Sequence, residues 1–437
     1  MQVKVPRKIQ IDASSHCQLA CPVCPTANGK ARAVLGAGHL RVENFRQLLD
    51  ANPEIEEIEL SNYGEMFLNP QLSELLACAF ERQVTVSGSN GVNLNFARAD
   101  SLEAVVKYRV RGLTCSIDGA TQEIYSQYRV KGDLDAVLEN VDRIRQLRRE
   151  NGSAFPMLVW QFIVFGHNEH EIATAKSMAR ERGMDFLPRL SWDPGFSPVE
   201  DRSLVSIQTG LGAADRAEYR EKQGREYARD VCLQLWRAPV VNWDGRMLGC
   251  CVNYWRDFGS NVFDTGLSAS MSHPDMDYAR QMLMGSAEPR AGIPCTTCNH
   301  YEMMSQRRGW ITQDEINSDE RPGILVGLVP VAPEGVKFGR FSVSVNGLPD
   351  TGPQKSGTLF RFGLDTAVYF SVPASGVYGV SATLLGPSGW LSTQFSSIDV
   401  AKRPTCQQFT FDMRRMDSPV AAGLESGRAE PITCWIR

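Results

Sequence analysis

Met157-Leu-Val-Trp-Gln-Phe-Ile-Val-Phe165 is apolar throughout except for Gln161. A run of this length without alternation predicts a strand buried on both faces, as in a parallel sheet covered by crossover helices. Its neighbours agree. Leu134, Val137, Val141, Ile144 and Leu147 recur at three- and four-residue steps and predict a helix over Asp133–Arg149. Downstream, Glu169–Arg182 reads as a helix and Met184–Leu190 as a strand. Upstream, strands are predicted at Lys8–Ile11, Ile55–Leu60, Val84–Ser87 and Leu113–Ile117, with helices at Val42–Ala51 and Gln71–Arg82. Six strand–helix repeats predict an α/β fold, a partial (β/α)6 TIM-like barrel, with its chemistry at the C-terminal ends of the strands.

At 437 residues the chain is too long for one compact core, so two or three domains are expected. Barrel residues 1–190 are followed by a connector over 191–228 and a cysteine-rich segment over 229–312. Polar Asp314–Pro322 reads as a linker. Residues 325–437 hold short β-branched or aromatic runs, at Phe341–Val345, Ala367–Val372, Val377–Leu384 and Gln407–Phe411, spaced as in an antiparallel β-sandwich. The net charge of -4 gives no basis for a nucleic-acid partner. Met1–Ile11 has no apolar core of a secretory signal, and no stretch is long enough to span a bilayer, so the expected location is the cytoplasm and no membrane partner is expected.

Twelve cysteines in a reducing compartment call for a reason other than disulfides. Seven are clustered: Cys17, Cys21 and Cys24, then Cys232, Cys250, Cys295 and Cys298. Thiols at such spacings indicate metal. Three thiolates on a cubane leave one iron open, as a catalytic site requires. The alternative for this triplet is zinc, completed by His16 or His39. The later four close their site, as an iron–sulfur cluster or as structural zinc. Asn242-Trp-Asp-Gly245 reads as the hairpin turn that delivers Cys250. Cys78, Cys406 and Cys434 are scattered and read as packed thiols. His167, His170 and His300 lack a partner pattern and read as surface or helix-end residues.

Lys8–Cys24, lying after a first strand, resembles the signature loop of the radical S-adenosylmethionine (SAM) superfamily. Leu60–Pro70 resembles its Gly-Glu motif, which implies that Gly64 and Glu65 hold the amino group of SAM. Ser89-Asn-Gly91 matches the turn after strand three. Cys115–Gly119 matches the end of strand four, which implies Ser116 near the ribose and Asp118 as a further cofactor-binding residue. Arg129, after Tyr128, is implied as the partner of the SAM carboxylate, and Asn168 as a nucleoside contact. The bland alternatives are helix caps for Glu65 and Asp118 and a solvated charge for Arg129. Val23 departs from the family, in which this position is often aromatic and touches the adenine. The resemblance implies a four-iron, four-sulfur (4Fe-4S) cluster that reductively cleaves SAM to a 5′-deoxyadenosyl radical, which then takes hydrogen from an unactivated carbon.

The later cysteines resemble the auxiliary-cluster extension called SPASM or, shortened, twitch. No cysteine lies within Asn299–Gly309, so one auxiliary 4Fe-4S cluster is expected. Such a cluster implies electron transfer, with a flavodoxin or ferredoxin as external reductant. Cys251 and Cys115 are candidate hydrogen donors to a substrate radical, or simply packed residues. The expected activity is oxidation or epimerisation of a small polar molecule: a sugar, aminocyclitol or sugar nucleotide. One alternative is a peptide or protein maturase installing a thioether, carbon–carbon link or formylglycine, with the C-terminal β domain as its recognition module. The other is a non-catalytic zinc-binding protein.

Overall fold

The computed structural model describes residues 5–228, 231–318, 323–331, 340–346, 359–361, 367–385 and 391–412. It divides into two compact units: Met1–Ile144 with Pro156–Asp319, and Arg145–Phe155 with Glu320–Arg437.

The first unit is built on seven strands: β1 (Lys8–Ile11), β2 (Glu57–Glu59), β3 (Thr85–Val92), β4 (Gly112–Ser116), β5 (Met157–Val164), β6 (Asp185–Leu190) and β7 (Val240–Val241). Their order is β6-β5-β4-β3-β2-β1-β7, and every pairing is parallel. Between the first six run helices α1 (Lys30–Leu35), α2 (Val42–Ala51), α3 (Leu72–Glu81), α4 (Ala99–Lys107), α5 (Gln122–Tyr128) and α6 (Leu134–Glu150). Helix α7 (Ile172–Glu181) precedes β6. Six strands in chain order with crossover helices form the expected partial barrel, open because β6 and β7 do not pair.

The helices form where apolar residues fall on one stripe. In α2 the buried side chains are Val42, Phe45, Leu48 and Leu49, and in α3 they include Leu72, Leu75, Leu76 and Ala79. The β5 run is buried as expected, and its Trp160 donates from Nε1 to the Ile117 carbonyl at 2.8 Å.

Strands β1 to β3 behave differently. Ile9, Ile11, Ile58, Leu60 and Val86 alternate with Gln10, Asp12, Glu57, Glu59, Thr85 and Ser87, and both sets are buried. With period two, the apolar set faces the helices and the polar set the opposite side of the sheet. A barrel interior this polar keeps its carboxylates only by hydrogen bonding them. Glu59 accepts from the Ser87 hydroxyl at 2.7 Å and the Ser89 amide at 2.8 Å, while Arg111 Nη1 reaches Glu57 at 3.2 Å.

The second unit holds two sheets. One is antiparallel, with β9 (Arg340–Asn346), β10 (Leu359–Arg361), β12 (Gly376–Leu385) and β13 (Leu391–Val400) in the order β10-β9-β12-β13. The other has β8 (Ile324–Val331) between β11 (Val368–Val372) and β14 (Cys406–Asp412). Val326, Leu328, Val368 and Phe370 of one sheet share a core with Val343, Val345, Val380 and Ile398 of the other, so the sandwich is present. It is not wholly antiparallel, because β14 runs parallel to β8. Cys434 lies outside the described residues.

Candidate metal centre at the strand ends

Strand β1 ends at Ile11, and the chain turns through Asp12–His16 into the first cysteine loop. The loop is seated by backbone bonds: Ala20 N–H to Val130 at 3.0 Å and Cys24 N–H to Cys21 at 3.1 Å. Leu19, Cys21, Tyr128, Ile163 and Phe165 form a buried cluster, with Cys17, Val23, Cys24 and Phe196 packed against it. All three thiols of the triplet are therefore brought to one place, at the C-terminal side of the sheet. Burial pushes the Cys17 thiol up to about 12, and Glu65, Cys21 and Cys24 push in the same direction. Burial also raises Cys21, against the pull of Arg129. Thiols crowded together without a cation resist ionising, and a bound metal centre reverses that balance.

Among the described residues no three His, Cys, Asp or Glu side chains already form a site for a single ion. His16 and His39 pack their rings on each other, with centroids 4.8 Å apart. Two of the thiols do have amide or guanidinium donors: Asn93 Nδ2 lies 3.7 Å from Cys17 Sγ and Arg129 Nη1 3.8 Å from Cys21 Sγ. Donors aimed at sulfur, soft ligands and an incomplete coordination shell fit an iron–sulfur cluster.

Gly64 and Glu65 lie against this loop, where the Glu65 N–H donates to the His16 carbonyl at 2.7 Å. The Glu65 carboxylate is spent on the backbone: Oε1 accepts from Phe67 N–H at 3.1 Å and Oε2 from Asn93 N–H at 2.7 Å. It caps the 3-10 turn Met66–Leu68, and burial pushes it up to about 7. Ser116, at the end of β4, is buried beside Gly91, where a Cβ would crowd its hydroxyl.

Asp118 and Arg129 form a buried ion pair, Nε to Oδ2 at 2.6 Å, and Asp118 Oδ1 accepts from Ile163 N–H at 2.6 Å. Burial opposes the Arg129 charge, but Asp118 and Cys21 more than offset it and hold its pKa well above the ordinary value. Asn168 is likewise committed to backbone, donating to the Asp118 and Ile163 carbonyls and accepting from Phe165 N–H. Cys115 is fully buried, its thiol 3.8 Å from the Leu113 carbonyl. His167 bonds Ser197 at 2.9 Å and stacks on Phe165, and His170 is exposed.

The second thiol set rests on β7. Asn242 N–H donates to Arg246 at 2.9 Å, and Gly245, at φ +94°, closes the turn that was expected here. The chain then reaches Cys250. Its thiol is pushed up by burial and by Cys232, Cys251, Cys295 and Cys298. Cys295 and Cys298 flank a tight turn, with Cys298 N–H bonded to the Cys295 carbonyl at 3.1 Å, and His300 follows in the helix Asn299–Arg307. Cys251 has a different setting: its Sγ lies 3.3 Å from Gln234 Oε1, and it packs against the buried cluster of Ala31, Leu35, Val240 and Leu248.

Sequence reading missed Asp12, Tyr63 and Asn93. Asp12 is fully buried at the end of β1; Oδ1 accepts from Tyr63 N–H at 3.3 Å, while Oδ2 has no hydrogen-bond partner. The neighbouring Asn62 amide makes no bond of good geometry with it. Burial pushes this carboxyl up to about 7. An acidic residue directly after the alternating strand Lys8–Ile11, at the head of the cysteine loop, was the available signal.

No protein-family model matches the sequence, and no curated protein matches it. Solved structures with detectable likeness include Streptococcus suis SuiB bound to S-adenosylmethionine, at 12% identity over 68% of this chain and 72% of that one, with a TM-score of 0.49. Another is BtrN in complex with AdoMet and 2-DOIA, at 13% identity over 68% and 94%, TM-score 0.40. A third is anSMEcpe with bound AdoMet, at 13% identity over 69% and 94%, TM-score 0.45.

Proposed function

We propose that this chain is a radical SAM enzyme with one auxiliary iron–sulfur cluster, acting on a small polar substrate. The observation that carries the reading is the meeting of the Cys17, Cys21 and Cys24 loop with the Gly64-Glu65 loop at the strand ends, with the second thiol set on β7 beside β1. Cys17, Cys21 and Cys24 would hold the SAM-binding cluster, and Cys232, Cys250, Cys295 and Cys298 the auxiliary one. Bound there, they supply one-electron chemistry that removes hydrogen from an unactivated carbon.

The chain's own residues do the rest. The Gly64-Glu65 loop bounds one side of the site and Ser116 another. The carboxylates of β2 are engaged within the protein, but at the end of β1 Asp12 Oδ2 has no partner among the described residues and can accept a hydrogen bond from a hydroxylated or aminated ligand. This favours a sugar, aminocyclitol or sugar nucleotide, with oxidation or epimerisation as the outcome and a flavodoxin or ferredoxin as electron source. Among the described residues no helix is long and apolar enough to cross a membrane.

Turnover in heavy water with candidate sugars tests the reading. Deuterium at the product carbon indicates epimerisation, and ketone formed one-for-one with SAM consumed indicates oxidation. Release of 5′-deoxyadenosine triggered by peptides alone overturns the substrate class. Zinc without iron after strictly anaerobic purification overturns the enzyme.

A further inference from the structure

We infer that Arg129 and Asn93 set the reduction potential of the first cluster by donating hydrogen bonds to two of its three thiolates. The inference rests on the proposal that this triplet binds iron–sulfur. Arg129 Nη1 stands 3.8 Å from Cys21 Sγ, and Asn93 Nδ2 stands 3.7 Å from Cys17 Sγ, both within reach of a weak N–H to sulfur bond.

Neither donor is loosely held. Arg129 is fixed by Nε on Asp118 at 2.6 Å, and Asp118 is fixed in turn by Ile163 N–H. Asn93 is pinned at three points. Its N–H donates to Glu65 Oε2 at 2.7 Å, and its Oδ1 accepts from Gln18 Nε2 at 2.9 Å and Asn95 N–H at 3.0 Å. With its oxygen so engaged, the amide presents its NH2 to Cys17. Gln18 is itself the residue after Cys17, so the loop orients its own donor.

Reduction adds negative charge to a cluster, and N–H donors and a guanidinium beside its sulfurs stabilise that charge. Asp118 neutralises Arg129 overall, yet the pair is polarised with its positive end at Cys21. These are positioning residues: they act on the sulfur ligands and on no substrate atom. The same commitment of Arg129 to Asp118 and Cys21 competes with the SAM-carboxylate role that the resemblance implies.

The test is a potentiometric titration of the reconstituted full-length protein, followed by electron paramagnetic resonance (EPR). The first cluster is identified as the signal that changes when SAM is added. Arg129→Lys keeps the charge and shortens the fork, and Asn93→Ala removes the other donor. At the potential where the unmodified protein is half reduced, Arg129→Lys should lower the reduced-to-oxidised ratio about tenfold, equivalent to about 59 mV for one electron. Asn93→Ala should lower it about threefold, which gives a second reading if the arginine variant does not fold. The signal insensitive to SAM should titrate unchanged. Iron-loaded variants that titrate with the unmodified protein overturn the inference alone. Absence of any SAM-sensitive signal in the unmodified protein overturns the functional reading beneath it.

Discussion

Gly64 packs so tightly against Ser14 that a Cβ placed on it would overlap the Ser14 carbonyl. The contact joins the second strand-end loop to the approach of the cysteine loop, and Glu65 N–H to the His16 carbonyl completes it. Gly64→Ala must push the two loops apart. It should lower apoprotein stability by about 1–3 kcal/mol. Iron after anaerobic reconstitution should fall from about eight per chain to about four, the auxiliary share remaining. Metal analysis of the variant checks this, and full loading would contradict it.

Adjacent thiols Cys250 and Cys251 should behave differently. Burial raises the Cys250 pKa, and Cys232, Cys295 and Cys298 are among the thiols that raise it further, whereas Cys251 lies beside Gln234 and packs against Ala31, Leu35, Val240 and Leu248. Cys250→Ala should remove about four irons, and Cys251→Ala none. If Cys251→Ala also retains full turnover, a hydrogen-donor role for that thiol is excluded.

Asp12 should make the fold pH-dependent. Its carboxyl is raised from 3.8 to about 7 by burial, with Glu59 also opposing its charge. Below about pH 4 both folded and unfolded chains hold the proton, and it costs nothing. Between about pH 4 and 7 only the unfolded chain releases it, so stability falls as pH rises. Above about pH 7 the full cost is present, on the order of 4 kcal/mol. Asp12→Asn should therefore stabilise the apoprotein at pH 8 and leave it nearly unchanged at pH 4, measured by urea unfolding at both. A pH-independent difference would mean that the carboxyl ionises normally.

The ion pair of Asp118 and Arg129 predicts a sharp asymmetry. Removing one partner strands a buried charge, so Asp118→Ala should cost about 3–5 kcal/mol in apoprotein stability. The double variant Asp118→Ala, Arg129→Met should recover part of that loss. Denaturant titration of the two variants side by side decides it.

Much of the barrel was legible because its elements carry their own signals. The spans Lys8–Ile11 and Val42–Ala51 agree with the structure to the residue, and α6 differs by one residue at each end. Helices α4 and α5 were missed: α4 is short, and α5 is polar apart from Ile124 and two tyrosines. In the second unit β8 was hidden by Gly327 and Pro330, and β13 by its serines. Gly327 is there for a packing reason, since a Cβ would strike Ala154. At the site, cysteine spacing announced the thiols. The capping alternative for Glu65 was legible, and Glu65 does cap Met66–Leu68, but nothing local announced that Asn168 would be spent on backbone, or that Asn93, far from Cys17 in sequence, would reach its sulfur. Those relations exist only once the strand ends converge.

Strand β7 has a consequence beyond holding thiols. It covers the hydrogen-bonding flank of β1 with only two residues, Val240 and Val241, in a segment whose stability, on the function proposed, would depend on the cluster held by Cys232, Cys250, Cys295 and Cys298. Loss of that cluster would free the segment and uncover β1, a row of unpaired backbone groups able to recruit a strand from another molecule. Oxygen damage to such a cluster would therefore endanger solubility as well as electron flow, with aggregation the mark expected of protein handled in air.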